Sequence, residues 1–104
     1  MTATETTGRR AKRLFLVECY LPGADPDEVA TAMRSVVAAG REATAFACCL
    51  AIPGDDSYFC LFDSGTTEDL ELTFRRAGVP FERIVEATRV SLGAAGAALA
   101  RLGE

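Results

Sequence analysis

Apolar and polar residues alternate along the chain in stretches that predict six regular elements. The apolar run from Arg13 to Leu21 stops at Pro22-Gly23, a turn signal, and predicts the first strand. The first helix is expected to begin with Asp25 as N-cap and Pro26 in its first turn, and to end at Gly40 in a left-handed conformation. Its apolar residues recur at helical spacing and predict one buried stripe: Val29, Ala32, Met33, Val36 and Val37.

The second half of the chain predicts a β-hairpin, a helix and a last strand. "TAFACCLAI" (44–52) and "YFCLFD" (58–63) predict strands two and three, joined by the turn "PGDDS". The second helix is expected to start at Thr66, whose hydroxyl can cap it, and to end at Gly78. "FERIVEATRV" (81–90) predicts strand four.

The element order β-α-β-β-α-β predicts an α+β fold, the ferredoxin-like sandwich. In this fold a four-stranded antiparallel sheet, with the spatial strand order 4-1-3-2, carries both helices on one face. The other face of the sheet is then open. Because a half-apolar open sheet generally meets another subunit or a ligand, we expect this face to be the functional surface.

Side chains alternate along a strand, so a charged residue in an apolar strand indicates the side that faces away from the helices. We therefore expect Glu18 of strand one and Glu86 of strand four to lie on the open face. In strand one, Phe15, Val17 and Cys19 are then expected to lie beneath the helices. In strands two and three, the following residues are expected on the open side: Cys49, Tyr58, Cys60 and Phe62. The following are expected beneath the helices: Phe46, Cys48, Leu50, Phe59 and Leu61.

Across the sheet, this assignment predicts a row of acidic and sulfur side chains on the open face. The row is Glu86, Glu18, Cys60 and Cys49, with Tyr20 and Tyr58 nearby as ligand-binding residues. Two carboxylates on neighbouring strands repel each other unless one is protonated or a cation lies between them. Mixed thiolate and carboxylate ligands suit divalent metals such as zinc, nickel or iron(II). The alternative is a pair of carboxylates whose charges are satisfied within a dimer interface.

The four cysteines are not expected to act as nucleophiles, because all of them lie within predicted strands and away from helix N-termini. The chain has no histidine, which excludes Ser-His and Cys-His pairs, and it has no phosphate-loop or dinucleotide-binding motif. Cys19 and Cys48 are expected to be core residues. The adjacent Cys48 and Cys49 point to opposite faces of an extended strand and so cannot easily share one ion.

Length and composition predict one domain, because 104 residues, 49% of them hydrophobic, suffice for one core, placed here at residues 13–90. Residues 1–12 form a basic leader that we expect to be disordered rather than to bind nucleic acid, since it has no aromatic residue and residues 14–104 carry seven arginines against fourteen carboxylates. Residues 91–104 predict a short packing helix or a frayed tail. No apolar run suits a membrane helix or a secretion signal, so we expect no membrane contact and a cytoplasmic location.

Three segments resemble a family of small bacterial nickel-binding proteins, formerly known only as a domain of unknown function. They are "LFLVECYLPG" (14–23), "DDSYFCLFDSGTTEDLE" (55–71) and "AGVPFERIVEATRV" (77–90). The resemblance implies a ferredoxin-like fold, often dimeric, with a divalent metal such as nickel near the open face and Glu18, Cys60 and Glu86 at the matching motif positions. Metal-binding members tend to use histidine, commonly near the position of Ala47, and this chain has none.

Two function hypotheses from different classes remain at this point. The first is a homodimeric binding protein whose open faces enclose a divalent ion or a small ligand, contacted by the row of four residues. The second is a small dimeric enzyme of the isomerase, cyclase or oxygenase type that acts on an apolar molecule. Its acid or base would be Glu18 or Glu86, and its hydrogen-bond donor Tyr20 or Tyr58. A purely structural or protein-interaction role is the third alternative.

Overall fold

The structure, a computed structural model, describes residues 12–40 and 43–93. The predicted leader (1–12) and tail (91–104) lie almost entirely outside these ranges. The described chain forms strands β1 (Arg13–Tyr20), β2 (Thr44–Ile52), β3 (Ser57–Ser64) and β4 (Arg83–Ala87), and helices α1 (Pro26–Gly40) and α2 (Thr67–Ala77). None of the described helices is long and apolar enough to cross a membrane.

The four strands form one sheet in the order β2-β3-β1-β4, and each neighbouring pair is antiparallel. Both helices pack on the same face of this sheet, because their buried residues belong to one hydrophobic cluster with residues of β1 and β3. The predicted α+β class, the strand order and the antiparallel sheet are therefore confirmed. The arrangement is compatible with a ferredoxin-like fold.

The predicted caps fix three of the four helix ends. The Asp27 N–H donates to Asp25 Oδ1 at 2.9 Å at the start of α1, and the Asp69 N–H donates to Thr66 Oγ1 at 3.0 Å at the start of α2. Gly78 follows α2 with a φ of 74°, the left-handed conformation in which glycine is favoured. These ends are decided by local chemistry, so the sequence is sufficient to locate them.

Gly40 has a different role from the predicted one. It is the last helical residue of α1, and it is not among the described glycines with a positive φ. A Cβ at this position would contact Thr44 Oγ1 and would lie 3.1 Å from Thr73 Cγ2. Glycine is needed here because the end of α1 approaches β2 and α2 too closely for any side chain.

The core lies between the two helices and the inward row of the central strands β1 and β3. In that row Phe15 lies opposite Phe62, and Val17 lies opposite Cys60. The helices contribute these buried side chains: Val29, Met33, Val36, Leu70 and Phe74. A chain of edge-to-face aromatic contacts crosses the layers, with ring centroids 5.5 Å apart for Phe46–Phe62, 5.7 Å for Phe62–Phe74 and 5.7 Å for Phe74–Phe81.

Strand β4 is shorter than the predicted span of residues 81–90. It pairs only with β1, from Arg83 opposite Glu18 to Ala87 opposite Leu14, close to the first residue of β1. Because β1 begins at Arg13, only one residue before Leu14, the residues beyond Thr88 have no strand to pair with. Phe81, which the sequence placed in the strand, instead packs against Phe74.

We expect Phe74→Ala to lower the free energy of unfolding by about 3–5 kcal/mol, because it removes a fully buried ring between two aromatic neighbours and leaves a cavity. The matched control is Leu72→Ala on the same helix, where the side chain is 46% exposed and a change within about 0.5 kcal/mol is expected. Urea unfolding followed by circular dichroism measures both values. Equal losses in the two variants would contradict this description of the core.

Candidate functional site: a thiol pair beside an apolar groove

The predicted row of four residues does not form on the open face, and strand β3 shows why. Tyr58, Cys60 and Phe62 face the helices, with 3%, 0% and 0% of their surface exposed. The sequence assignment for β3 is therefore wrong, and Phe59 and Leu61 lie on the open side. Facing inward, Tyr58 and Phe62 bury two aromatic rings, and Cys60 between them must follow.

Strand β2 carries a β-bulge that reverses its alternation. Phe46 pairs with Phe62, whereas Cys48 pairs with Leu61, so Ala47 is the extra residue. After the bulge, Cys49 faces the helices opposite Cys60, while Cys48 and Leu50 face the open side. The predictions for these three residues are wrong. The prediction that Phe46 lies on the helix side is confirmed, although 41% of its surface stays exposed.

The two carboxylates of the predicted row lie on opposite faces of the sheet. Glu18 is on the open face, directly opposite Arg83, whose Nε lies 2.7 Å from Glu18 Oε1. Glu86 is opposite Phe15 and therefore on the helix side, where it reaches solvent at the sheet edge and pairs with Arg13 at 3.3 Å. The rule that a charged residue avoids the helix side fails on an edge strand, because both faces of such a strand can reach water.

These positions do not fit a single divalent ion. The sheet separates Glu18 from Glu86, Cys49 and Cys60, and an arginine already neutralises each carboxylate. Within residues 12–40 and 43–93, no group of three or more cysteines and carboxylates is arranged to hold a metal. Tyr20 and Tyr58 are also separated: Tyr20 is 55% exposed on the open side and Tyr58 is buried under the helices.

The structure instead brings two thiols together. Cys49 on β2 and Cys60 on β3 are direct cross-strand neighbours, with their Sγ atoms 3.6 Å apart. The Cys60 side chain is fully buried, and Cys49 is partly exposed. Cys19 lies on the neighbouring strand β1, opposite Tyr58, which is the next residue of β3 on the same face as Cys60. Three of the four cysteines therefore share the helix side of the sheet.

The hydrogen bond between Cys49 and Cys60 shifts the pKa values of the two thiols in opposite directions. It lowers the pKa of the Cys49 thiol, because the Cys60 S–H can donate to a thiolate at Cys49. The pKa of Cys60 is raised, because its hydrogen bonds with Cys19 and Cys49 hold its proton and because it is buried. Burial likewise raises the pKa of Tyr58. The hydrogen bond with Cys60 also lowers the pKa of Cys19, which is buried. Of these two thiols, Cys49 is the one that solvent can reach.

Cys49 also lines an apolar groove of about 930 Å³ between α1 and β2. On the α1 wall, Val37 was predicted to be buried but is 47% exposed, because the apolar stripe of this helix is wider than the sheet beneath it. Phe46 forms part of the β2 wall, since β2 is an edge strand. Arg34 is the charged residue among those that line the groove.

The groove was missed at the sequence level, although two signals for it are present. Nearly every position of "TAFACCLAI" is apolar, which suits a strand covered on both faces better than an edge strand. In α1, Ala30 and Val37 extend the apolar stripe beyond the width that one sheet face requires. Together these patterns indicate an uncovered apolar surface at the β2 edge.

These features define a small α+β protein with a one-sided antiparallel sheet, a thiol pair and an apolar groove at one sheet edge. The chain matches no protein-family model and no curated protein. Its fold is similar to the crystal structure of SCO4226 from Streptomyces coelicolor A3(2), with a TM-score of 0.69 and 21% sequence identity. The match covers 75% of this chain and 99% of that one, and at this identity it concerns the fold alone.

We expect Cys49 to react with iodoacetamide with a pH midpoint below that of an ordinary cysteine thiol, because its pKa is lowered. Cys60→Ala removes the hydrogen-bond donor and should move that midpoint to higher pH, because the thiolate then loses its stabilising partner. Both measurements are made by mass spectrometry in a Cys48→Ser background, so that the exposed Cys48 does not interfere. A midpoint that is the same with and without Cys60 would refute the role of the hydrogen bond.

Proposed function

We propose that the protein is a small homodimeric binding protein, of ferredoxin-like fold, whose groove between α1 and β2 binds an apolar small molecule. The groove itself is the observation that carries this proposal. Its volume of about 930 Å³ falls within the roughly 300–1,000 Å³ of ligand pockets, and its walls are mainly aliphatic and aromatic. A surface of this kind is unfavourable in water unless a ligand or a protein covers it.

The chemistry of the lining residues narrows the class of ligand. Arg34 supplies one positive charge at the groove, and Cys49 supplies a polarisable sulfur. The remaining walls come from residues such as Met33, Val37 and Phe46, which offer apolar contact only. We therefore favour an amphipathic molecule with an apolar body and one anionic group.

The homodimer is supported by the open face of the sheet. This face carries several large apolar side chains that are at least partly exposed: Leu14, Leu16, Leu50, Ile52, Phe59, Leu61 and Val85. The charged residues on this face neutralise one another, Glu18 with Arg83 and Asp63 with Arg89. A second copy is the occupant that we favour, because a face that carries both members of each ion pair is complementary to itself across a two-fold axis.

A metal and an enzymatic reaction are not part of this proposal. The residues that the family resemblance assigns to a divalent metal do not fit one ion, and nickel, zinc or iron binding stays a prediction from the sequence. The candidate acids and hydrogen-bond donors, Glu18, Glu86, Tyr20 and Tyr58, do not line the groove. The bacterial origin and the cytoplasmic location also stay predictions.

We expect Ala38→Trp to weaken binding of the anionic dye anilinonaphthalene sulfonate at least about tenfold, or about 1.4 kcal/mol, because the new ring fills the groove. Ser35→Trp is the matched control, since Ser35 is exposed on the same helix and does not line the groove. Fluorescence titration measures both affinities. Arg34→Gln should weaken the anionic dye more than the neutral dye Nile red. If neither dye binds the wild-type protein, or if the two tryptophan variants weaken binding equally, the groove is not the binding site.

We expect the wild-type protein to be a dimer in solution and Leu61→Glu to be a folded monomer, because two buried carboxylates would repel each other at the centre of the open face. Leu72→Glu is the control: it adds the same charge to an exposed site on α2 and should leave the dimer intact. Light scattering after size exclusion measures the mass, and circular dichroism confirms folding. A monomeric wild type, or a dimer that tolerates Leu61→Glu, would overturn the proposed interface while leaving the groove untouched.

A further inference from the structure

The Cys49–Cys60 pair has the geometry of a cross-strand disulfide in its reduced form. Directly opposite residues of antiparallel strands have Cα atoms about 4.5–5.5 Å apart, within the range of about 4.4–6.8 Å found for disulfides. The Sγ atoms, now 3.6 Å apart, must approach to about 2.05 Å. Side-chain rotation can supply this movement, so the strands need not separate.

The two thiols differ in access, and this difference assigns them different roles. Cys49 is partly exposed and lines the groove, so a small oxidant can reach its sulfur. Cys60 is fully buried, and the bulk of β3 and the helices keeps solvent away from it. An oxidant therefore meets Cys49 first, and Cys60 can react only with a group already formed on its neighbour. The lowered pKa of Cys49 and the raised pKa of Cys60 agree with this order.

We propose that Cys49 is a site of oxidation by hydroperoxides and that Cys60 resolves the product to an intrachain disulfide between β2 and β3. In the first step the Cys49 thiolate attacks the terminal oxygen of a hydroperoxide. An S–O bond forms, the O–O bond breaks, and two electrons pass from sulfur to the peroxide, which leaves as an alcohol after taking up a proton. Cys49 becomes a sulfenic acid.

In the second step the Cys60 sulfur attacks Cys49 Sγ. The S–S bond forms as the S–O bond breaks, and the hydroxide leaves as water with the proton that Cys60 gives up. Cys60 is placed for this attack because its sulfur already contacts Cys49. The apolar walls of the groove favour an organic hydroperoxide, whose hydrocarbon part they can bind, over hydrogen peroxide. The formation of the disulfide does not depend on the ligand or the dimer proposed above, whereas the preference for an organic hydroperoxide rests on the proposed binding of apolar molecules in the groove.

The other two cysteines give the controls for this proposal. Cys48 is exposed but lies on the open side of β2, away from Cys60. Cys19 is buried and on the helix side, but it is on β1, one pair away from Cys60. Cys48→Ser and Cys19→Ala should therefore leave the Cys49–Cys60 reaction intact.

The test treats the reduced full-length chain with equimolar cumene hydroperoxide or hydrogen peroxide and follows intact mass and peptide maps. We expect the wild type, Cys48→Ser and Cys19→Ala to lose two hydrogen atoms and to yield a Cys49–Cys60 cross-linked peptide that dithiothreitol cleaves. The rate with cumene hydroperoxide should exceed that with hydrogen peroxide at least about fivefold, and Ala38→Trp should abolish this preference.

The single variants separate the two steps. Cys60→Ala should accumulate a sulfenic acid at Cys49 that dimedone traps, and Cys49→Ser should form neither product. Circular dichroism before treatment confirms that each variant is folded. Oxidation of wild type that stops at a sulfenic or sulfinic acid, a disulfide through Cys19 or Cys48, or an unreactive Cys49 would overturn the proposal. Equal rates with the two hydroperoxides would overturn the role of the groove alone.

Discussion

Within one chain the helices can bury only one face of the sheet. The alternation of side chains along each strand therefore decides which of them lie on the helix side and which lie on the open side. Helices α1 and α2 cover the face that carries Phe15 and Val17, and β3 must match that face by turning Tyr58 and Phe62 inward. Cys60 lies between these two rings in the sequence, so it becomes buried with them. Because a shift of one residue would move every side chain of β3 to the other face, the burial of two aromatic rings fixes the position of this thiol.

The bulge at Ala47 supplies the second part of the site. Without an extra residue, Phe46 and Cys48 would share a face, and Cys49 would point to the open side. With it, Phe46 contacts Phe62 and Cys49 meets Cys60, both on the helix side. Bulges are common on edge strands, and this one leaves the ladder between β2 and β3 intact on both sides. The thiol pair and the aromatic contact therefore depend on the same local irregularity.

The sequence was sufficient to predict the helices and strands. It was not sufficient to predict which face of the sheet each strand residue occupies. Thr66, Asp25 and Gly78 mark helix ends through local hydrogen bonds and backbone conformation, which neighbouring residues determine. The side on which Cys49 lies depends on an inserted residue and on a pairing between strands, and neither has a local signal. The prediction for Glu86 was wrong because charge indicates the open face only where the helices cover the other face completely. On the edge strand β4 they cover Ile84 but leave Glu86 exposed. The predicted row took one residue from each of the four strands. Each strand whose face was predicted wrongly therefore removed one residue from the predicted site.

The exposed ion pairs of β1 and β4 contribute little to the stability of the fold. Their main effect is to neutralise the charges that would oppose the association of two copies. Pairs such as Arg83–Glu18 and Arg13–Glu86 have half-exposed partners, and each contributes at most about 1 kcal/mol. Their effect on association is larger, since a chain with a net charge of −4 would repel its own copies if Glu18 lay unpaired on the open face. The groove and Cys49 lie on the other side of the sheet from that face. A dimer formed through the open faces therefore leaves the groove accessible, so ligand binding and thiol oxidation need no dissociation of the two copies.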